Sequence, residues 1–151
     1  MTPTATTWEL EVRPRRASRI AVAVAGILVV FFTVGGVLLH RKSTGVTFYT
    51  SDQVAVILIG VLLAGGVLLL TRPRLKAGPD GVLVRNLFSE KLLDWDVVRG
   101  ASFPDGKAWA RLELPADEYI PVLALRASDQ EYAADAIERL RALGARFGAV
   151  R

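Results

Sequence analysis

The chain has no cysteine and only one histidine among its 151 residues. Without cysteine it can form neither a disulfide framework nor a thiolate site for zinc or an iron–sulfur cluster. The single His40 leaves no second imidazole for a metal site and no spare base for a triad. Charged residues are absent from two long apolar segments, 20–39 and 54–70. These absences exclude disulfide-framed secreted domains and large enzymes, and they indicate a membrane protein.

The two apolar segments are long enough to span a bilayer. At ~1.5 Å per residue, a helix of about 20 residues covers the roughly 30 Å hydrocarbon core. A cleaved signal peptide is the alternative for the first segment, but its apolar run exceeds the usual ~7–15 residues and no small-x-small cleavage site follows. The link 40–53 is too short for a domain. The sequence therefore predicts a transmembrane helical hairpin over 20–71, with helices at 20–39 and 54–70 and a short outer loop at 40–53.

Basic residues predict the orientation of this hairpin. Four arginines, Arg19 among them, precede the first helix and three basic residues follow the second, whereas the link holds only Arg41 and Lys42. Positive charge near helix ends stays on the cytoplasmic side, so we expect a plasma-membrane protein with both termini inside. Bilayer lipid is then the first expected partner. Its candidate headgroup contacts are Arg13, Arg15, Arg16, Arg72, Arg74 and Lys76.

Small residues in the apolar segments predict close helix packing. Gly60 and Ala64 are four residues apart and so share one helix face. This face either packs within the hairpin or contacts the helices of a partner protein. Neither span contains Asp, Glu, Lys or Arg, the residues from which proton relays and transport pathways are built, so a transporter or channel is not predicted.

The cytoplasmic part is predicted in two pieces. In the N-terminal segment 1–19, apolar and charged residues alternate over about 8–13, a half-buried strand pattern that ends at Pro14. We expect this strand to join a sheet formed by 72–151, because both chain ends lie on one side; the alternative is a disordered tail whose Trp8 contacts the interface.

Residues 72–151 alternate in short strands and then change to helical spacing. Gly78-Pro79-Asp80-Gly81 and Pro104-Asp105-Gly106 mark turns between strands. Pro121 lacks an amide donor, which places the strand 119–125 at a sheet edge or at a bulge. An amphipathic helix is predicted at about 129–143, ended by Gly144.

These patterns, together with Leu93-Asp94-Trp95-Asp96-Val97-Val98, Phe103 and the segment 106–112, resemble a pleckstrin-homology-like (PH-like) domain. The order of elements is similar to that of small bacterial PH-like integral membrane proteins of the low-molecular-weight antigen type. The resemblance implies a membrane α+β protein: a two-helix transmembrane hairpin and a small antiparallel, partly open β-barrel capped by one C-terminal amphipathic helix.

The resemblance implies interaction rather than chemistry. PH domains that bind phosphoinositides use basic residues on the first two strands and their loop. Here that loop is taken as 77–81, which holds an acid and no base. Residues 72–151 carry 13 basic and 12 acidic residues, so attraction to nucleic acid is weak. No nucleic acid, small-molecule substrate, metal or cofactor is predicted.

Catalysis is not predicted either. Asp94 and Asp96 flank a tryptophan in a turn, where carboxylates hydrogen-bond to backbone amides. Ser89 and Ser102 have no histidine on their side of the membrane. The predicted function is a non-enzymatic, membrane-anchored PH-like interaction or scaffold module that contacts other membrane or cytoplasmic proteins. The expected contacts are the strand edge 119–125 or the barrel corner near Phe88 and Phe103; the alternatives are an accessory subunit of a larger membrane complex and an anionic-lipid surface sensor.

Overall fold

The structure is a computed structural model that describes residues 7–41, 45 and 49–148. The chain divides into two units: residues 17–71 form a helical unit, and residues 1–16 together with 72–151 form a sheet-containing unit. The start of the predicted N-terminal segment, residues 42–44 and 46–48 of the predicted outer loop, and residues 149–151 lie outside the described residues.

The helical unit is built from two long apolar helices. Helix α1 runs from Arg15–Arg41 and helix α2 from Thr50–Leu68, followed by a 3-10 turn at Leu69–Thr71. Both are long and apolar enough to cross a membrane by length and composition. Each helix begins four or five residues before its predicted first residue, because the prediction placed the helices at 20–39 and 54–70.

The helices pack antiparallel through small residues. A Cβ placed on Gly60 would lie 2.7 Å from Phe32 Cγ, and one on Gly36 would lie 3.3 Å from Ile57 Cγ1. Ala64 is buried in the same unit. Glycine is required at position 60 because the Phe32 side chain occupies the space that a side chain at this position would need.

The second unit contains two antiparallel sheets. The first has the order β1-β2-β3-β4 and the second the order β5-β6-β7. Strand β1 pairs with β2 in the register Leu10↔Ala77 to Val12↔Leu75, so the N-terminal strand joins the sheet formed by the C-terminal part of the chain. The strand bounds are Leu10–Val12, Arg74–Gly78, Gly81–Arg85, Glu90–Leu93, Gly100–Ser102, Trp109–Glu113 and Tyr119–Arg126.

Helix α3, Glu131–Gly148, packs one face on this unit. Its alanines at 133 and 136 and its Ile137 and Leu140 are buried, as the helical spacing predicts. They join the inward-facing residues of both sheets in one core, whose largest fully buried side chains include Leu75, Val82, Val84, Leu112, Val122 and Leu125.

The predicted end of α3 was wrong. Gly144 was taken as a helix stop, but the helix continues to Gly148. Gly144 lies against Trp95, where a Cβ would come within 3.3 Å of the indole Cζ3. The next turn carries Phe147, whose ring stacks on Trp95 with centroids 6.4 Å apart. The glycine therefore permits close packing, and the last turn is stabilised by the tryptophan.

The start of α1 belongs to the second unit. Pro14 precedes the helix and offers no side-chain acceptor for the free amides of the first turn. The buried Asp129 supplies one instead, since its Oδ1 accepts a hydrogen bond from the Arg16 amide at 3.1 Å. Arg15 lies over the Tyr132 ring, 3.9 Å from its centroid. The helix begins at Arg15 because distant residues complete its first turn.

Candidate functional site

A groove lies between strand β5 and helix α3. Strand β5 has only three residues and forms an edge of its sheet. The groove holds a cavity of about 660 Å³ whose lining includes Trp95, Arg99, Gly100, Gly144 and Ala145. A second cavity, of about 540 Å³, is lined by Ser102, Phe103, Ala127, Gln130 and Ala134, among others. Small residues on both walls thus leave room beside the free edge of a strand.

Arg141 stands between the two cavities and lines both. Its Nη2 donates a hydrogen bond to the Ala101 carbonyl at 2.9 Å. An arginine side chain of α3 therefore bonds a main-chain carbonyl of β5, a terminal strand of its sheet. Because a flexible side chain can be displaced more readily than a paired strand, this edge can accept an extended peptide.

Trp95 forms the end of the groove. Its ring is buried, and its Nε1 donates to the Gly78 carbonyl at 2.8 Å. This bond ties the turn between β2 and β3 to the 3-10 turn Trp95–Val97. The flanking Asp94 and Asp96 are both exposed, and Asp96 contributes to the lining of the larger cavity.

The predicted contact edge 119–125 is already occupied. Asn86 Nδ2 donates to the Pro121 carbonyl at 2.8 Å, and the Leu123 amide donates to Asn86 Oδ1 at 3.2 Å. The side-chain amide thus takes the place of a peptide group on the outer edge of β7. Pro121 does lie on an edge strand, as predicted. Strand addition at this edge would have to displace two hydrogen bonds of Asn86, whereas at β5 it would have to displace one hydrogen bond of Arg141.

Ser102 lies at the groove but is bonded to a carboxylate. Its hydroxyl donates to Glu113 Oε1 at 2.7 Å, which holds the pKa of Glu113 below its usual range, with further attraction from Arg111 and Arg141. Ser89 is exposed in the turn between β3 and β4. No group of three or more metal-ligating residues occurs among the described residues.

Several of the candidate headgroup residues contact other side chains. Arg13 forms an ion pair with Glu11 at 2.7 Å and lowers the pKa of that carboxyl through a hydrogen bond. Lys76 lies 5.9 Å from the Trp8 ring centroid, so the described part of the tail places Trp8 beside the sheet. Arg72 is exposed, Arg74 lies opposite Arg85 in the strand register, and Arg15 and Arg16 form the first turn of α1.

The loop compared with a phosphate-binding loop is the second strand connection of the sheet once β1 is counted. Residues 77–81 connect β2 to β3, because the N-terminal strand is the first of the sheet. The connection between β1 and β2 contains the entire helical unit. The basic residues that follow β1 and open β2 therefore flank the apolar helices.

Comparison with known proteins assigns the class of this domain. Residues 72–143 match the family model described as bacterial PH domain. Three uncharacterized proteins, one from Mycobacterium bovis and two from strains of Mycobacterium tuberculosis, are each 44% identical over 147 residues, which cover 97% of this chain and 96% of the relative. No solved structure shows significant similarity. The chain belongs to one family with these mycobacterial proteins, and its residues 72–143 match a bacterial PH domain, a class of domain that is generally non-enzymatic and mediates lipid or protein interactions.

Proposed function

We propose that this protein is a non-enzymatic interaction module anchored in the plasma membrane, with its PH domain at the cytoplasmic surface. Two helices of sufficient length and apolar character support the anchor. The excess of basic residues outside the link supports an orientation with both termini in the cytoplasm.

The groove between β5 and α3 is the proposed docking site for an extended segment of a partner protein. The observation that carries this proposal is the Ala101 carbonyl, which is bonded by the Arg141 side chain at the free edge of β5. An added strand would bond to the main chain of β5, and its side chains would enter the cavities on either side.

Exposed alanines on two faces of α3 allow a matched test. Ala145 lines the groove, whereas Ala142 lies on another face near Glu9. A photo-crosslinking residue at each position, introduced into the full chain in native membranes, should yield a partner peptide at 145 and none at 142. Competition by that peptide should remove the adduct. Equal adducts at both positions, or none at 145, would contradict the groove as the site.

An anionic-lipid surface sensor is the second candidate function. The basic residues on either side of the helical unit favour it, because charge near a membrane attracts acidic lipids. Such docking should weaken steeply with salt, whereas strand addition should not. The accessory-subunit alternative is less favoured at Gly60, because this residue packs on Phe32 within the hairpin.

A further inference from the structure

The turn between β3 and β4 presents an exposed aromatic side chain. The Asn86 amide donates to the Ser89 carbonyl at 2.8 Å and closes the turn. Phe88 at its tip is 86% exposed, and Leu92 on the following strand is 58% exposed. Exposed apolar residues are common on protein surfaces, so exposure alone assigns Phe88 no function. The role of Phe88 therefore depends on where it lies in the fold.

The strand register places this turn at one particular end of the first sheet. Arg85, the last residue of β3, lies opposite Arg74, the first residue of β2. From this pair, three residues lead back to Thr71, where the second apolar segment ends, and three lead forward to Phe88. At the same end, Val12 of β1 lies opposite Leu75, shortly before α1 begins at Arg15. The aromatic turn therefore extends from the end of the sheet at which the chain enters and leaves the apolar helices.

The charge at this end fits a lipid surface. Arg72, Arg74 and Lys91 lie there with the Arg85–Glu90 ion pair, so basic residues outnumber acidic ones. The opposite end carries the turn Gly78–Gly81, with the acidic Asp80 and no basic residue. Aromatic side chains prefer the bilayer interface, and neighbouring arginine and lysine interact with anionic headgroups.

We infer that Phe88 inserts into the headgroup region of the cytoplasmic leaflet and acts as a third attachment point beside the two helices. This inference rests on the proposed membrane anchor. A single aromatic side chain binds lipid weakly, but the helices already hold the domain at the surface. The turn therefore needs only to favour one orientation of the domain relative to the membrane.

The absence of cysteine allows single labels on an otherwise unmodified chain. Phe88→Cys and the control Asp80→Cys place a polarity-sensitive fluorophore on exposed turns at opposite ends of the sheet. The full chain is measured as one copy per nanodisc, in discs of neutral and acidic phospholipid, which leave both leaflets open to solvent. At 88 we expect blue-shifted emission, quenching by lipids with a nitroxide near the headgroup, and several-fold weaker quenching by iodide than at 80. Equal iodide quenching at the two positions would overturn the inference.

Two further outcomes are distinguishable. If alkaline extraction leaves the chain in membranes while the label at 88 stays water-exposed, the insertion of Phe88 is wrong and the anchor stands. If alkaline extraction removes the chain, the anchor itself is wrong and the inference falls with it. Protection at 88 that appears only with two copies per disc would also contradict lipid insertion, because it would indicate contact between copies.

Discussion

Asp129 and Arg16 are separated by 113 residues, yet the Asp129 carboxylate caps the first turn of α1 through the Arg16 amide at 3.1 Å. The carboxylate is 7% exposed, and its second oxygen has no hydrogen-bond partner among the described residues. An acidic side chain beside the free amides of a helix N-terminus is favourable both as an acceptor and through the helix dipole. Asp129, two positions before the start of α3, thus sets where the first apolar helix begins.

Replacement of Asp129 by alanine should destabilise the sheet-containing unit. A lost helix cap costs about 1 kcal/mol, within a range of roughly 0.5–2. Asp129→Asn keeps an acceptor and should cost less. Thermal unfolding of the purified chain in detergent, followed by tryptophan fluorescence, measures both variants. Identical midpoints for the alanine variant and the unmodified protein would show that the cap has no energetic role.

Asn86→Ala should weaken the junction of the two sheets. The substitution leaves the Leu123 amide and the Pro121 carbonyl without their partner; both bonds are part-buried, so the cost should lie at the lower end of the about 1–3 kcal/mol of a buried unsatisfied group. Ser89→Ala, an exposed change in the same turn, is the control and should change the free energy of unfolding by less than about 0.5 kcal/mol. Denaturant titrations should give a clearly lower free energy of unfolding for Asn86→Ala than for Ser89→Ala. Equal free energies of unfolding would contradict the assigned role of Asn86.

Gly144→Leu should disrupt the packing of α3 on Trp95. Even a Cβ at this position would lie 3.3 Å from the ring, and overpacking typically costs about 1–3 kcal/mol. Ala145→Leu places the same side chain on the neighbouring exposed position and should be nearly neutral. Near-ultraviolet circular dichroism of the tryptophan signal reports the contact. An unchanged signal in the Gly144 variant would mean that the ring does not constrain this position.

Ser102→Ala should raise the pKa of Glu113. The hydroxyl is the main stabiliser of the ionised carboxylate, so its removal moves the pKa up towards the ordinary value. Because the folded-state pKa is lowered, this carboxylate contributes stability above its unfolded pKa, and the contribution is lost as the pH falls through the folded pKa. The variant should therefore lose less stability on acidification over that interval. Carbon-13 NMR titration of the glutamate side chains measures the shift, and no upward movement would refute the assignment.

Local patterns in the sequence were sufficient to predict the kinds of elements and their order. Charge-free runs predicted two long helices, and apolar residues at helical spacing predicted the buried face of α3. The turn clusters marked several strand boundaries. The Trp95 segment carried a resemblance that the family match at residues 72–143 supports at the level of a bacterial PH domain.

The features that were missed depend on contacts between distant residues. Gly144 has the local signature of a helix stop, and only the ring of Trp95 explains why the helix passes through it. Pro14 marked only the end of the first strand, and α1 was predicted to begin at residue 20, because nothing near Arg15 indicates that the distant Asp129 caps the helix. Nothing in the sequence around Asn86 indicates that its amide bonds to β7. The groove at β5 was missed for the same reason, because its walls come from two segments about 40 residues apart and the Arg141 bond depends on their packing.

The central claim is that the chain is anchored in the membrane with its PH domain in the cytoplasm. Ser51→Cys, in the first turn of α2, and Asp80→Cys, in the domain, are exposed positions in a chain without native cysteine. A membrane-impermeant maleimide should label residue 51 in intact cells and residue 80 only after the membrane is permeabilised. Labelling of residue 80 in intact cells, or protection of residue 51 there, would contradict the account.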